Sequence, residues 1–315
     1  MNILITGGTG YLAGRLYKHF KKKKYNVKIA TRKSKKISKE FSNGDIVSID
    51  WKNIKNLEKI CKGVDIILHT AGINSNGSIK NPKKANIVKE KYTFNILSAA
   101  NKKKVEKFIY ISTAHVYSNF LNYKITEKTK TTNTHPYAVS NLKGEKVVLK
   151  FTSKKNYTKS YILRLSNAFG KPLNIEVDCW RLFINDICKQ SIQNKKIIIY
   201  QNHLIKRDFI SIYNFVDIID KFTKLKVSHN KDIIYNVGSG RAYTLIEMAK
   251  IISLRVFKKL KFYPDILCKN KDNINKVNFH LDYNISKLLK LKIKNVKYLN
   301  KEIDELILFC KKNYG

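Results

Sequence analysis

The chain has 315 residues, 43% of them hydrophobic, with a formal net charge of +40 from 63 basic and 23 acidic side chains. That length exceeds one small core and predicts two closely joined domains. The chain lacks any apolar run that spans a bilayer, and its N-terminus enters a strand at once, which leaves no room for a signal peptide. Cys61, Cys179, Cys188, Cys268 and Cys310 are odd in number and far apart, with no Cys-x-x-Cys spacing, so a reducing cytoplasm without a metal site is expected.

The first strand, Asn2-Ile3-Leu4-Ile5, runs directly into Thr6-Gly-Gly-Thr-Gly-Tyr-Leu-Ala-Gly14 and an amphipathic helix over 11–23. A strand ending in a glycine-rich turn that opens a helix is a phosphate cradle. Backbone N–H groups point at a pyrophosphate, and glycine allows close approach. Gly7, Gly10, Tyr11 and Leu12 are the expected dinucleotide-binding residues of this turn; the alternative is an ordinary strand–turn–helix corner.

Further strands are predicted at 27–30, 46–49, 65–68, 108–112 and 161–165, with helices near 54–62, 83–103 and 136–152. Strands alternating with helices predict an α/β fold, a doubly wound parallel sheet of the Rossmann type. After residue 170 the pattern loosens. Helical stretches at 178–193 and 245–256 and extended ones at 197–200, 209–212 and 233–237 predict a smaller, interleaved C-terminal lobe. The expected division is 1–170, with a return segment at about 207–237, and 171–315.

The lysines are spread through every segment, and no nucleic-acid motif accompanies them. Composition bias explains the charge better than nucleic-acid binding does, although such a field still attracts anionic ligands. No nucleic-acid or membrane partner is expected.

The glycine turn is followed along the chain by Asp50-Trp51, Gly63-Val-Asp65 with His69-Thr-Ala-Gly72, Ser112-Thr-Ala-His-Val-Tyr117, Tyr137-Ala-Val-Ser140 with Gly144-Glu145 downstream, Arg164-Leu-Ser-Asn167-Ala-Phe-Gly170, Arg207-Asp-Phe209 and Tyr235-Asn-Val-Gly238. In that order and spacing they resemble the motifs of the extended short-chain dehydrogenase/reductases, the NAD-dependent epimerase/dehydratase family. The chain resembles that family over essentially its whole length. The resemblance implies an adenine contact at Asp50 and Trp51 and a loop under the cofactor at Thr70, Ala71 and Gly72. It also implies a nucleotide-diphospho-sugar substrate held by Asn167 and Arg207, and a homodimer through the helices at 83–103 and 136–152.

Family members that use NAD(H) carry an acidic residue at the end of the second strand. Here that end reads Ala30-Thr31-Arg32-Lys33. Arg32 suits a 2′-phosphate through charge-assisted bidentate bonds. NADP(H) is therefore expected in preference to NAD(H), with Thr31 and Arg32 as its contacts; Arg32 as one more basic surface residue is the competing reading.

The resemblance makes Tyr137 the acid/base and Thr113 the hydroxyl that orients the sugar oxygen. Bringing a tyrosine from its ordinary pKa of about 10 to near 7 takes roughly 4 kcal/mol. The family supplies it with a lysine four residues later, but position 141 is Asn. Lys143 lies about 120° further round the helix than a residue in register with Tyr137 and is expected to point elsewhere. Lys89 stands where the family has asparagine, so Asn141 and Lys89 form a candidate exchange; a solvated helix lysine is the alternative. Ala114-His115 replaces the Asp-Glu of sugar 4,6-dehydratases, which leaves epimerisation or 4-ketone reduction. His115 is a second acid/base or a structural residue. A dinucleotide-holding pseudoenzyme or redox sensor competes, because of Asn141.

Overall fold

The computed structural model describes residues 1–32, 40–118, 123–154, 157–226, 232–269, 280–293 and 298–315. The first part of the chain forms β1 (Asn2–Thr6), α1 (Tyr11–Lys22), β2 (Asn26–Thr31), β3 (Ile46–Ser48), α2 (Ile54–Cys61), β4 (Ile66–His69), α3 (Ser75–Lys80), α4 (Pro82–Lys89) and α5 (Lys91–Lys102). The middle forms β5 (Lys107–Thr113), β6 (Tyr123–Ile125), α6 (Pro136–Thr152), β7 (Lys159–Leu165), β8 (Asn167–Phe169), α7 (Phe183–Gln193), β9 (Lys196–Ile199) and β10 (Lys206–Ser211). The remainder forms α8 (Ile212–Lys224), β11 (Ile234–Val237), β12 (Ala242–Thr244), α9 (Leu245–Leu260), β13 (Asp265–Cys268), β14 (Leu281–Tyr283), α10 (Ser286–Leu289) and α11 (Leu299–Tyr314).

Seven strands form one sheet in the order β11-β7-β5-β4-β1-β2-β3. The pairs β7–β5, β5–β4, β4–β1, β1–β2 and β2–β3 are parallel. The expected doubly wound sheet is therefore present. Strands covered on both faces are apolar throughout rather than alternating, and every residue of β5 is buried. Leu4, Ile67, Phe108 and Ile162 of the strands pack with Leu57 of α2 and Ile96 and Leu97 of α5. Strand order reverses at β1, so the crevice that a ligand enters in such a sheet lies beyond the C-terminal end of β1.

One expected helix differs. The stretch 83–103 is two helices, α4 and α5, that meet at Glu90 (φ −93°, ψ −68°). The Glu90 N–H bonds the carbonyls of Asn86 and Ile87 and tightens the last turn of α4. No glycine or proline marks this break in the sequence. Its consequence is that α4 ends on Lys89.

The chain divides into two compact units: 1–119, 130–165 and 219–235 form the first, and 120–129, 166–218 and 236–315 the second. The chain thus leaves the first unit at 166 and rejoins it over 219–235, while β10, expected inside the returning segment, belongs to the second unit. In that second unit β10 pairs parallel with β8 and antiparallel with β12. Helices α7, α9 and α11 share a core of Ile184, Ile187, Met248, Ile252, Ile303 and Leu306. Thr244 and Glu247 form a reciprocal capping box that starts α9. Among the described residues, no helix is long and apolar enough to cross a membrane.

Candidate active site

The glycine turn joins β1 to α1 in the first unit. Gly7 has φ +97° and Gly8 φ +55°, a region that L side chains rarely adopt. A Cβ on Gly7 would stand 2.9 Å from the Ala71 nitrogen, and one on Gly8 would stand 3.0 Å from the Thr31 side chain. The turn is thus pressed between the ends of β2 and β4. Gly10 N-caps α1 without offering a side-chain oxygen to the first-turn amides, and that turn holds no acidic residue. Tyr11 and Leu12 open the helix. A helix end left in this form favours an anion. The residues present fit the diphosphate of a dinucleotide.

Around the turn, Thr31 ends β2 and the next residue, Arg32, is exposed. Lys33 lies outside the described residues. The Thr70 hydroxyl donates to the Thr6 carbonyl at 2.6 Å and ties the loop Thr70-Ala71-Gly72 to β1. Asp50 is exposed, and its carboxylate accepts from the Lys52 N–H at 3.0 Å. Trp51 is buried, its ring stacked on Tyr92 at 5.3 Å. Of the Asp50-Trp51 pair only Asp50 offers its side chain to solvent.

Thr113 ends β5 and Tyr137 sits in the first turn of α6. His135 caps that turn, its ring nitrogen accepting from the Tyr137 N–H at 3.1 Å. Burial pushes the Tyr137 phenol above its ordinary pKa. Hydrogen bonds from the Thr113 hydroxyl and the Asn141 side chain pull the other way without cancelling it. Tyr137 is therefore held as the protonated phenol at neutral pH. The structure brings Thr113, Tyr137 and Asn141 together. Asn141 also donates from Nδ2 to the Tyr137 carbonyl at 2.8 Å and is only 1% exposed. Its amide is spent largely on its own helix. Lys143 pairs with Glu90 at 3.4 Å, on the other side of α6. The His115 ring meets the Tyr137 ring edge-on at 6.5 Å.

Lys89 is buried at the end of α4, with its ammonium 4.9 Å from the centre of the Tyr110 ring. Burial lowers its pKa to about 8, with Glu145 opposing. His69 lies in the same array. Its two ring nitrogens hydrogen-bond the Thr6 and Thr93 hydroxyls at 2.8 and 3.0 Å, and burial plus the nearby Lys89 charge keep it neutral.

Beneath the tyrosine, Glu145 of α6 is 1% exposed. Its carboxylate accepts from the Ser112 hydroxyl at 2.5 Å and from Arg164 Nε and Nη2 at 3.1 and 2.7 Å. The guanidinium also lies 4.7 Å over the Tyr117 ring. Ser112 and Arg164 are register partners on β5 and β7, so one carboxylate fastens α6 to two strands. Gly144 permits the approach: a Cβ there would run into the Tyr110 hydroxyl and stand 2.9 Å from the Lys89 carbonyl. Glu145, Ser112 and Arg164 entered the sequence reading only as parts of motifs. A carboxylate on the face of α6 that also carries Ala138, Asn141, Gly144 and Val148 was the available signal of a buried partner.

In the second unit, the Asn167 amide donates to the Asp208 carbonyl at 2.9 Å. Asp208 accepts from the hydroxyls of Ser166 and Ser239 at 2.6 and 2.9 Å and from the Ser239 N–H at 2.8 Å. Arg207 donates to Gln201 Oε1 at 2.6 Å, and burial lowers its pKa. Among the described residues Arg207 and Asp208 form no ion pair, and the guanidinium's described partner is the neutral Gln201. Trp180 packs against Phe309 and Tyr314 and anchors α11.

A family model described as the NAD dependent epimerase/dehydratase family matches residues 3–238. The chain belongs to that family. It is 26% identical over 265 residues to a putative UDP-glucose 4-epimerase of Methanocaldococcus jannaschii, covering 79% of this chain and 81% of the relative. It is 27% identical over 264 residues to the human dTDP-D-glucose 4,6-dehydratase, covering 79% and 72%. Among solved structures, the UDP-N-acetylglucosamine 4-epimerase of Methanobrevibacter ruminantium, in complex with UDP-N-acetylmuramic acid, aligns with a TM-score of 0.81 at 21% identity over 98% of this chain and 97% of that one. The UDP-glucuronic acid 4-epimerase of Bacillus cereus, in complex with UDP-glucuronic acid and NAD, aligns with a TM-score of 0.79 at 20% identity over the full length of both. The family's fold is thus shared end to end with the second of these.

Within this family member the Glu145–Arg164 pair is the most buried charge contact described. Removing one partner of such a pair leaves an uncompensated charge and costs about 3–5 kcal/mol. Glu145→Gln is expected to lower the unfolding free energy by about that much in denaturant titrations. Adding Arg164→Met is expected to recover part of it, and strictly additive losses would reject the coupling.

Proposed function

We propose that this chain is a nucleotide-diphospho-sugar epimerase or 4-ketoreductase that uses NADP(H) in preference to NAD(H). The observation that carries the reading is the Tyr137 phenol, hydrogen-bonded by Thr113 at the C-terminal end of β5, in the same parallel sheet whose β1 runs into the glycine turn. When bound, the nicotinamide supplies a reversible hydride acceptor for a sugar carbon. Tyr137 donates a proton to a sugar ketone, or takes one from the hydroxyl in the reverse direction. Thr113 orients that oxygen. Gly7, Gly10, Tyr11 and Leu12 hold the dinucleotide phosphates, and Asn167 and Arg207 the sugar diphosphate. Arg207 suits this role because its half-buried guanidinium has only Gln201 as a described hydrogen-bond partner. Ala114 and His115 in place of Asp-Glu speak against 4,6-elimination.

Because burial keeps Tyr137 protonated, the resting site is set for ketone reduction. Reduction is expected to hold through neutral pH, while hydroxyl oxidation needs the tyrosinate and should rise with pH toward and beyond 10. Tyr137→Phe is expected to lower turnover by roughly 10²–10⁴-fold. Assays on a panel of nucleotide-diphospho-sugars and their 4-keto forms check this; turnover indifferent to Tyr137→Phe would refute it.

The preference for NADP(H) rests on Arg32, exposed after β2. A charge-assisted contact contributes about 1.5–3 kcal/mol, so Arg32→Ala should weaken NADPH roughly tenfold or more and leave NADH little changed. Tighter binding of NADH by the unaltered protein would end this assignment.

A homodimer through α5 and α6 is part of the same reading. Phe94 on α5 and Leu149 on α6 are exposed apolar side chains. Phe94→Asp should shift the sedimentation coefficient to that of a monomer, and a protein already monomeric before substitution would exclude the dimer.

A further inference from the structure

We propose that Lys89, at the end of α4, supplies the positioned positive charge of the cofactor site, beside the loop Thr70-Ala71-Gly72, and that Asn141 on α6 takes the complementary neutral place. This rests on the dinucleotide reading above. It assigns the ammonium to the ribose hydroxyls beside the nicotinamide.

Three observations carry it. First, Lys89 is 4% exposed, yet its ammonium has no hydrogen bond or ion pair among the described residues. An ammonium withdrawn from water without a partner is unfavourable unless a ligand completes it. A lysine kept only to fill space is better replaced by Met or Leu. Second, the amine reaches the cofactor loop. A Cβ on Gly72 would stand 3.1 Å from Lys89 Nζ and 2.8 Å from its Cε. Gly72 follows Thr70 and Ala71, the residues against which Gly7 is pressed. Glycine at 72 is what leaves room for the lysine. Third, among the described residues no carboxylate pairs with it. Facing it are Glu145 from α6, His69 from β4, and Tyr110 from β5, whose pKa Tyr137 also influences. His69 is neutral, and both phenols are held protonated. Glu145, the one carboxylate, is already engaged by Arg164 and Ser112.

The amine can donate three hydrogen bonds, which suits a pair of hydroxyl oxygens. Asn141 cannot substitute, because its amide carries no charge and is shared between the Tyr137 phenol and the Tyr137 carbonyl. Lys89 titrates at about 8, so the ammonium is present below that pH and lost above it.

The test measures equilibrium binding of NADPH and NADH by fluorescence, with no sugar present, at pH 6.5 and 9.5. The unaltered protein should bind at least several-fold tighter at pH 6.5. Lys89→Met should bind at least tenfold weaker at pH 6.5, lose that pH dependence, and unfold at a higher temperature without ligand, because a buried unpaired charge is gone. The double variant Lys89→Asn/Asn141→Lys should bind better than Lys89→Asn alone. A cofactor affinity in Lys89→Met equal to that of the unaltered protein, or the same pH dependence in both, would overturn the assignment. Should Lys89→Met fail to fold, Lys89→Gln serves with the same criteria. Failure of the unaltered protein to bind either cofactor would instead overturn the dinucleotide reading itself.

Discussion

The site depends on how α6 is fastened to the sheet. Glu145 is the fastener, because its one carboxylate engages Ser112 on β5 and Arg164 on β7 at once. The pair is almost fully enclosed, so its two hydrogen-bonded arms fix direction as well as distance. Gly144, one residue earlier, lets the helix come close enough to the Tyr110 hydroxyl and the Lys89 carbonyl. Two turns upstream on the same helix sits Tyr137. Its hydroxyl meets Thr113 because Ser112 and Thr113 are neighbours on the clamped strand. A helix held only by apolar contacts could slide or rotate by a fraction of a residue; one held by a buried two-strand ion pair cannot without stranding a charge.

The same burial that fixes the geometry sets the protonation states. Tyr137 and Tyr110 stay as phenols and His69 stays neutral, each mainly because its charged form is poorly solvated. Arg164 stays charged because Glu145 outweighs its burial. Lys89 is the exception. It is a cation by origin, lies over the Tyr110 ring without a hydrogen bond or ion pair among the described residues, and has its pKa lowered by burial to about 8. The polar array beside the loop Thr70-Ala71-Gly72 is thus built of neutral groups around one closed ion pair and one open amine. Placing that amine on α4 rather than α6 separates it from Tyr137's own helix.

In the second unit a buried carboxylate again organises the backbone. Asp208 gathers the hydroxyls of Ser166 and Ser239 and the N–H groups of Ser239 and Arg241. This fixes the ends of β8, β10 and β12 relative to one another. Arg207, the residue before Asp208, has no carboxylate partner among the described residues. An Asp beside an Arg in sequence reads as an ion pair, but on a strand adjacent side chains point to opposite faces. The strand geometry, not the local charges, decides that the two act separately.

The sequence by itself determined the doubly wound sheet, the glycine turn, and the α6 helix from Pro136 to Thr152, because these follow from strictly local signals: apolar runs, positive-φ glycines and helical period. It also flagged Asn141 and Lys89 as departures, since those are readable as residue types at known spacings. Helix α11 did not enter the sequence reading, and the break between α4 and α5 at Glu90 leaves no local mark. The tertiary structure alone decided where the charges go. Glu145 finds Arg164 across 19 residues and Lys89 finds Gly72 across 17, by packing of helices onto strands. The turn of Asn141 onto its own helix and the burial of Trp51 beside an exposed Asp50 are likewise outcomes of packing. Charge placement of this kind depends on which faces are withdrawn from water, and no single stretch of sequence carries that information.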